Sequence, residues 1–168
     1  MAAYCIFTNP DKCISCHACE VACRVKHDVP QGSTLGKLVT LGPELINEKP
    51  KMSSLYIPCF QCEDAWCIKA CPADAIRRNE KYGTLYVLED LCFGCQSCIL
   101  ACPWQIPQWN PKTGMIMKCD LCMDYIEEGK EPACVSECPT GALSFGEPVE
   151  VSNKTREEYG LRLLKKVI

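Results

Sequence analysis

Apolar residues along this chain come in runs too short to build a conventional core, and the elements they predict are correspondingly small. The opening "AYCIF" reads as a first strand. Positions 24–58 read as a surface loop with one strand near Leu35 to Leu41, and so long a loop in a compact domain is a candidate docking surface. The run "RRNEKYGTLYVLEDLC" holds two extended pieces around Lys81-Tyr82-Gly83, which predicts a β-hairpin. "PWQIPQWNPKTGMIMKC" repeats the plan, with Pro111-Lys112-Thr113-Gly114 as its turn. The tail "SNKTREEYGLRLLKKVI" predicts a terminal helix in which Tyr159, Leu161, Leu163, Leu164 and Val167 supply apolar faces. Those faces are expected to cover the body, with docking of a partner as the second role. No stretch approaches the roughly 18 consecutive apolar residues of a membrane span.

Cysteine changes this picture. Seventeen of the 168 residues are Cys, far above ordinary globular usage. Sixteen sort into four runs: Cys13, Cys16, Cys19, Cys23; then Cys59, Cys62, Cys67, Cys71; then Cys92, Cys95, Cys98, Cys102; and last Cys119, Cys122, Cys134, Cys138. Every run begins C-x2-C and ends C-x3-C, and only the middle gap varies, at two, four, two and eleven residues. The remaining Cys5 reads as a buried, unligated cysteine of the first strand.

The spacing has a physical reason. Three cysteines two residues apart can curl round one cubane cluster with backbone N–H groups turned to its sulfurs. The C-x3-C step covers about one helical turn and carries the last thiolate away along the same face. In two-cluster ferredoxins that fourth cysteine ligates the other cluster. Pro72, Pro103 and Pro139 follow the last cysteine of the second, third and fourth runs and turn the chain out of the helix.

Other metal chemistries fit less well. Structural zinc uses paired C-x2-C motifs, whereas the first and third runs hold three closely spaced cysteines. The stretch Cys13-Ile14-Ser15-Cys16-His17 matches the c-type haem attachment signature, but a porphyrin there would strand Cys19 and Cys23 and break a quartet that recurs three more times. An odd cysteine total and the lack of an apolar leader in "MAAYCIFTNP" argue against a secreted disulfide scaffold.

The duplicated "CPADAI" and "CPTGAL" mark an internal repeat. The expected fold is α+β, with two ferredoxin-like modules of short strands, short helices and long loops organised around four [4Fe-4S] clusters. Residues 56–114, with the second and third runs, form the inner module; 1–55 plus 115–150 form the outer one; 151–168 is a helical tail. Crossing then puts Cys59, Cys62 and Cys67 with Cys102, and Cys92, Cys95 and Cys98 with Cys71. It puts Cys13, Cys16 and Cys19 with Cys138, and Cys119, Cys122 and Cys134 with Cys23. Metal binding must supply much of the folding free energy.

The formal charge of −3 falls to roughly −11 with four clusters of about −2 each. Such a molecule lacks the basic footprint of a nucleic-acid binder. No Gly-rich nucleotide fingerprint and no catalytic His-carboxylate grouping is visible, and the chain reads as a non-catalytic carrier of electrons. Lys12, Lys69 and Lys118 sit beside cysteines and read first as ordinary solvated charge, with raising the potentials of neighbouring clusters as the second role.

With its four runs in this order the chain resembles the iron–sulfur electron-transfer subunits of the dimethyl sulfoxide reductase type, over roughly 5–147. The most specific parts are C-x2-C-x4-C-x3-C-P at 59–72 and "KCDLCMDYIEEGKEPACVSECPTGAL" at 118–143. Ser15 departs from the pattern, standing where relatives often have glycine in a tight turn. The resemblance implies a large molybdenum- or tungsten-pterin catalytic partner, with a flavin or membrane redox subunit as a further partner. A hydrogenase relay and a freely diffusing polyferredoxin are the alternatives. It also implies a path from the cluster of the first run, facing the catalytic subunit, through those of the fourth and second to the third. All sixteen positions hold cysteine, so no three-iron cluster is expected. The shortness of the chain favours the neighbourhood of the small subunits of tungsten aldehyde oxidoreductases. The expected location is cytoplasmic, with co-export on a signal-bearing partner as the other route.

Overall fold

A computed structural model describes residues 4–167. In chain order it holds β1 (Cys5–Thr8), α1 (Ala18–Lys26), β2 (Lys37–Ile46), β3 (Lys49–Ile57), α2 (Trp66–Lys69), β4 (Ile76–Arg78) and β5 (Leu85–Val87). After a 3₁₀ turn at Glu89–Leu91 come α3 (Ser97–Ala101), β6 (Gln108–Asn110), β7 (Met115–Met117), α4 (Met123–Glu127), α5 (Ala133–Ser136), β8 (Leu143–Gly146) and α6 (Pro148–Val167). The strands form four two-stranded antiparallel sheets, a mixed helix-and-strand architecture of short elements.

The helices are placed by the cysteines. In α1, α2, α3 and α5 alike, the second residue is the third cysteine of its run: Cys19, Cys67, Cys98 and Cys134. α2, α3 and α5 stop within a residue or two of the next cysteine, where Pro72, Pro103 and Pro139 prevent continuation. No proline follows Cys23, and α1 runs on to nine residues. α4 occupies the eleven-residue gap of the fourth run, where the spacing gave no hint of it.

β1 pairs with β8, setting Ile6 opposite Phe145 and Thr8 opposite Leu143, so the two ends of the chain close on each other. Packing of α1 on α5 reinforces this closure, while α2 packs on α3. The expected hairpins are present as β4–β5, joined through 79–84, and β6–β7, joined through 111–114. Two buried clusters result. One gathers Ile6, Leu35, Leu38, Tyr56, Leu121, Val135 and Leu143 around Cys19, Cys23, Cys119 and Cys134. The smaller gathers Ala65, Ile76, Leu85 and Ile116 around Cys67 and Cys98.

Two expectations are corrected. Positions 24–58 carry a long hairpin, β2–β3, with a bulge between Leu41 and Glu44, instead of a loop with a single strand. Within these strands only Leu38, Ser54 and Tyr56 are buried, so alternation is confined to the last residues of β3 and absent from the rest of the hairpin. The base of the pair is anchored in the core by Leu38 and Tyr56, and the rest is held by its own ladder. The terminal helix exists but covers less than expected: Val151 is buried, whereas Tyr159, Leu161, Leu163 and Leu164 all remain exposed. The side chain of Val167 lies outside the described residues. Lys12 with Glu158 at 2.9 Å and Arg162 with Asp11 at 2.7 Å tie α6 to the body. No helix among the described residues is long and apolar enough to cross a membrane.

Candidate metal centres

Each C-x2-C loop bends the same way. Its third residue has left-handed backbone: Ser15 at φ 58°, Gln61 at 50°, Gly94 at 72° and Leu121 at 62°. Three of these are not glycine, and each such residue costs about 1–2 kcal/mol. Ser15 thus makes the turn that glycine makes in the third run. Consecutive N–H groups in such a turn point into one concavity and favour anionic occupants. Further backbone donors reach the thiols directly, Ala75 N–H to Cys71 Sγ at 3.2 Å and Ile116 N–H to Cys92 Sγ at 3.4 Å.

The folded chain gathers cysteines from separate runs. One hollow is lined by Cys13, Cys16, Cys19 and Cys138 with Ile14, Leu38, Tyr56 and Leu143. A second is lined by Cys59, Cys62, Cys67 and Cys102 with Phe60, Trp66, Trp104 and Lys118. A third is lined by Cys71, Cys92, Cys95 and Cys98 with Ala75, Ile76 and Ile116. Cys23, Cys119, Cys122 and Cys134 lie deeper. All four are buried; beyond burial, the charge of Cys122 raises the pKa of Cys23, those of Cys23 and Cys122 raise that of Cys134, and that of Cys134 raises that of Cys119. Cys16, Cys62 and Cys95 are by contrast exposed, one on each of the other three hollows.

Burial pushes the thiols up: Cys19, Cys98 and Cys122 to about 11, Cys23 and Cys134 to about 12, and Cys119 well above the ordinary value. Cys95 goes the other way because the Ser97 hydroxyl and N–H stabilise its thiolate. At Cys138 burial also pushes upward, but the N–H groups of Leu143, Ala142 and Thr140 and the Thr140 hydroxyl outweigh it. Thiols of this kind become ligands only when a metal displaces their protons.

Among the described residues, no three His, Cys, Asp or Glu side chains converge on a point that suits a single ion. Four thiols around an apolar hollow, met by backbone N–H groups, instead suit a group with volume of its own. That donor set fits a [4Fe-4S] cluster. Cys5 lines none of the three hollows. It is half-buried in β1, not fully buried as expected, with Sγ 3.5 Å from the Gly146 carbonyl, and burial pushes its thiol to about 11.

Between the cysteine sets stand residues that spacing alone does not reveal. Tyr56 is buried against the first hollow, and its hydroxyl acts on Cys23 and Cys134, holding their pKa values down against burial. Burial and those same thiolates push the phenol itself upward, so it stays a donor. Lys118 is 6 % exposed, which corrects its reading as solvated charge. Lys12 and Lys69 are exposed as expected, paired with Glu158 and Asp64. Lys118 Nζ donates to the carbonyls of Leu85 and Cys119, both at 2.7 Å. Gln61 closes the same network, accepting from Leu85 N–H at 2.6 Å and donating to the Cys119 carbonyl at 3.1 Å. The cue for Lys118 is its place two residues beyond buried Ile116, on the inward face of the β7 strand extended by one step. His27 Nε2 lies 3.2 Å from Cys122 Sγ.

Among the described residues, a groove of about 860 Å3 lies between α6 and the β1–β8 sheet. Cys138 is the one cysteine on it, and of its charged residues Lys12 pairs with Glu158 and Asp11 with Arg162.

Thiol-lined hollows of this form, on short helices and hairpins, define an iron–sulfur protein. A 4Fe-4S dicluster domain family matches residues 51–148, and a 4Fe-4S binding domain family matches 10–26. The thiosulfate reductase electron transfer subunit of Salmonella typhi is 39% identical over 145 residues, covering 85% of this chain and 75% of that one. A subunit of the anaerobic dimethyl sulfoxide reductase of Escherichia coli is 37% identical over 158 residues, covering 90% and 77%. A polysulfide reductase subunit of Wolinella succinogenes is 36% identical over 153 residues, covering 90% and 80%. The chain belongs to this family of 4Fe-4S iron–sulfur subunits.

Proposed function

We propose that this chain relays single electrons through four [4Fe-4S] clusters between a molybdenum- or tungsten-pterin catalytic subunit and a second redox partner. The observation that carries the count and the ligand sets is the composition of the hollows. Each of the three brings three cysteines of one run together with the last cysteine of another. The fourth set is Cys119, Cys122 and Cys134 with Cys23. The sixteen ligands then fall into an outer module, 1–55 plus 115–150, and an inner module, 56–114, with 151–168 as a tail.

Such a cluster supplies a one-electron couple with little rearrangement. The protein's part is to hold the thiolates, exclude water and set the local charge. Neighbouring sets share elements, which supports a continuous path. Cys19 and Cys23 are one helical turn apart on α1, joining the first and fourth sets. Cys59 and Cys119 interact directly, joining the fourth and second. Cys67 and Cys98 pack in one apolar cluster, joining the second and third. Burial of the fourth set suits an internal station, whereas the exposed Cys16, Cys62 and Cys95 bring each of the other three sets to the surface. The related proteins are named as components of reductases, which favours a fixed subunit over a freely diffusing carrier.

Anaerobic purification of the native protein tests this reading. A larger pterin-containing chain is expected to co-elute, and its substrate should bleach the cluster absorbance. A brown protein that elutes alone and stays oxidised when pterin enzyme and substrate are added would overturn it.

A further inference from the structure

Lys118 stands out among the cations of this molecule. It is nine-tenths buried, yet among the described residues it makes no ion pair. Its ammonium is held by two backbone carbonyls, of Leu85 and Cys119. Neutral carbonyls satisfy its hydrogen bonds but do not balance its charge, and an isolated charge in such a place is costly unless an opposite one is near. On one side Lys118 lines the hollow of Cys59, Cys62, Cys67 and Cys102. On the other it is joined covalently and by hydrogen bond to Cys119, which belongs to the buried set. Burial raises the pKa of both Cys67 and Cys119, and the charge of Lys118 opposes that rise at each.

We infer that Lys118 is the shared counter-cation of the second and fourth cluster sites, raising the reduction potentials of both and easing electron passage between them. The inference rests on the four-cluster reading. Four thiolates make each loaded site anionic, and reduction adds a further negative charge, so a fixed cation between two sites favours the reduced form of each. Gln61 keeps the ammonium in place. It ties the Cys59–Cys62 loop to Leu85 and to the Cys119 carbonyl, so the two sites and the cation move as one piece. Lys118 is a positioning residue in this account and touches no substrate.

Potentiometric EPR titration of the cluster-loaded protein tests the idea, after iron content and EPR of the unaltered protein have established how many clusters it holds. A count other than four there strikes the four-cluster reading, independently of Lys118. Lys118→Gln should lower the midpoints of two clusters and only two, by at least a tenfold change in their oxidised-to-reduced ratio at fixed potential, about 59 mV for a one-electron couple. Lys118→Arg should leave all midpoints near their original values. Lys154→Gln, an equal loss of charge on α6, should move none. If Lys118→Gln sheds iron, loss confined to two clusters with full loading of Lys118→Arg supports the inference. It is overturned if Lys118→Gln leaves every midpoint unmoved, if it shifts all four alike, or if Lys118→Arg shifts or loses clusters as Lys118→Gln does.

Discussion

Gly36 stands flush against the phenol of Tyr56: a Cβ at residue 36 would overlap both the hydroxyl and the ring carbon that bears it. The glycine is there to let Tyr56 reach Cys23 and Cys134. Gly36→Ala should therefore cost about 1–3 kcal/mol by overpacking, seen as a lower melting temperature of the loaded protein. Tyr56→Phe keeps the packing and removes the donor. It should lower the potential of one cluster, because hydrogen bonds to the sulfurs raise potentials, with little loss of iron.

Gly94 and Gly141 offer a controlled comparison. Both have left-handed backbone, at φ 72° and 59°. A Cβ on Gly94 would overlap the Gly114 carbonyl, whereas nothing lies within 4 Å of one on Gly141. Gly141→Ala should cost about 1–2 kcal/mol for the backbone alone. Gly94→Ala must also push the β6–β7 turn away from the Cys92–Cys95 loop. Iron analysis should show one cluster lost from Gly94→Ala and none from Gly141→Ala.

The crossing of ligands predicts which losses coincide. Cys102→Ala and Cys59→Ala should perturb the same EPR signal, and Cys102→Ala and Cys95→Ala should perturb different ones. Signals that instead follow sequence runs would contradict the crossing.

Retention of iron should depend on pH in one direction. Loaded ligands are thiolates, while the released thiols of Cys23 and Cys134 have values of about 12 and those of Cys19, Cys98 and Cys122 about 11. Below about pH 8 every one of these takes up a proton when the metal leaves, whether the emptied chain stays folded or opens to the ordinary thiol value of about 8.5. Each such proton makes retention about tenfold more favourable per unit rise in pH. Iron transfer at equilibrium to a chelator whose own protonation does not change over this range should accordingly decrease from pH 6 to pH 8.

Cysteine spacing and turn chemistry make much of this molecule legible from its residues alone. The short helices start where C-x3-C begins because the same residues must both wind one turn and present thiols. The hairpins follow from Lys81-Tyr82-Gly83 and from 111–114. Of the β2–β3 hairpin only the start of β2, near Leu35 to Leu41, is legible, because most of the remaining length is exposed on both faces and carries no alternating signature. Lys118 escapes for a related reason. Lysine is ordinarily solvated, and what buries this one is the approach of Leu85 and Gln61 from 33 and 57 positions earlier in the sequence. On α6, the pattern of Tyr159, Leu161, Leu163 and Leu164 announces a helix correctly, but apolar content alone does not say how much of it the body covers.

Anaerobic determination of iron and acid-labile sulfide per chain tests the central claim most directly. Four cubanes require about sixteen of each, with EPR of the reduced protein integrating to four spins. About eight irons, a stoichiometric zinc content, or thiols paired as disulfides in freshly isolated protein would contradict the account.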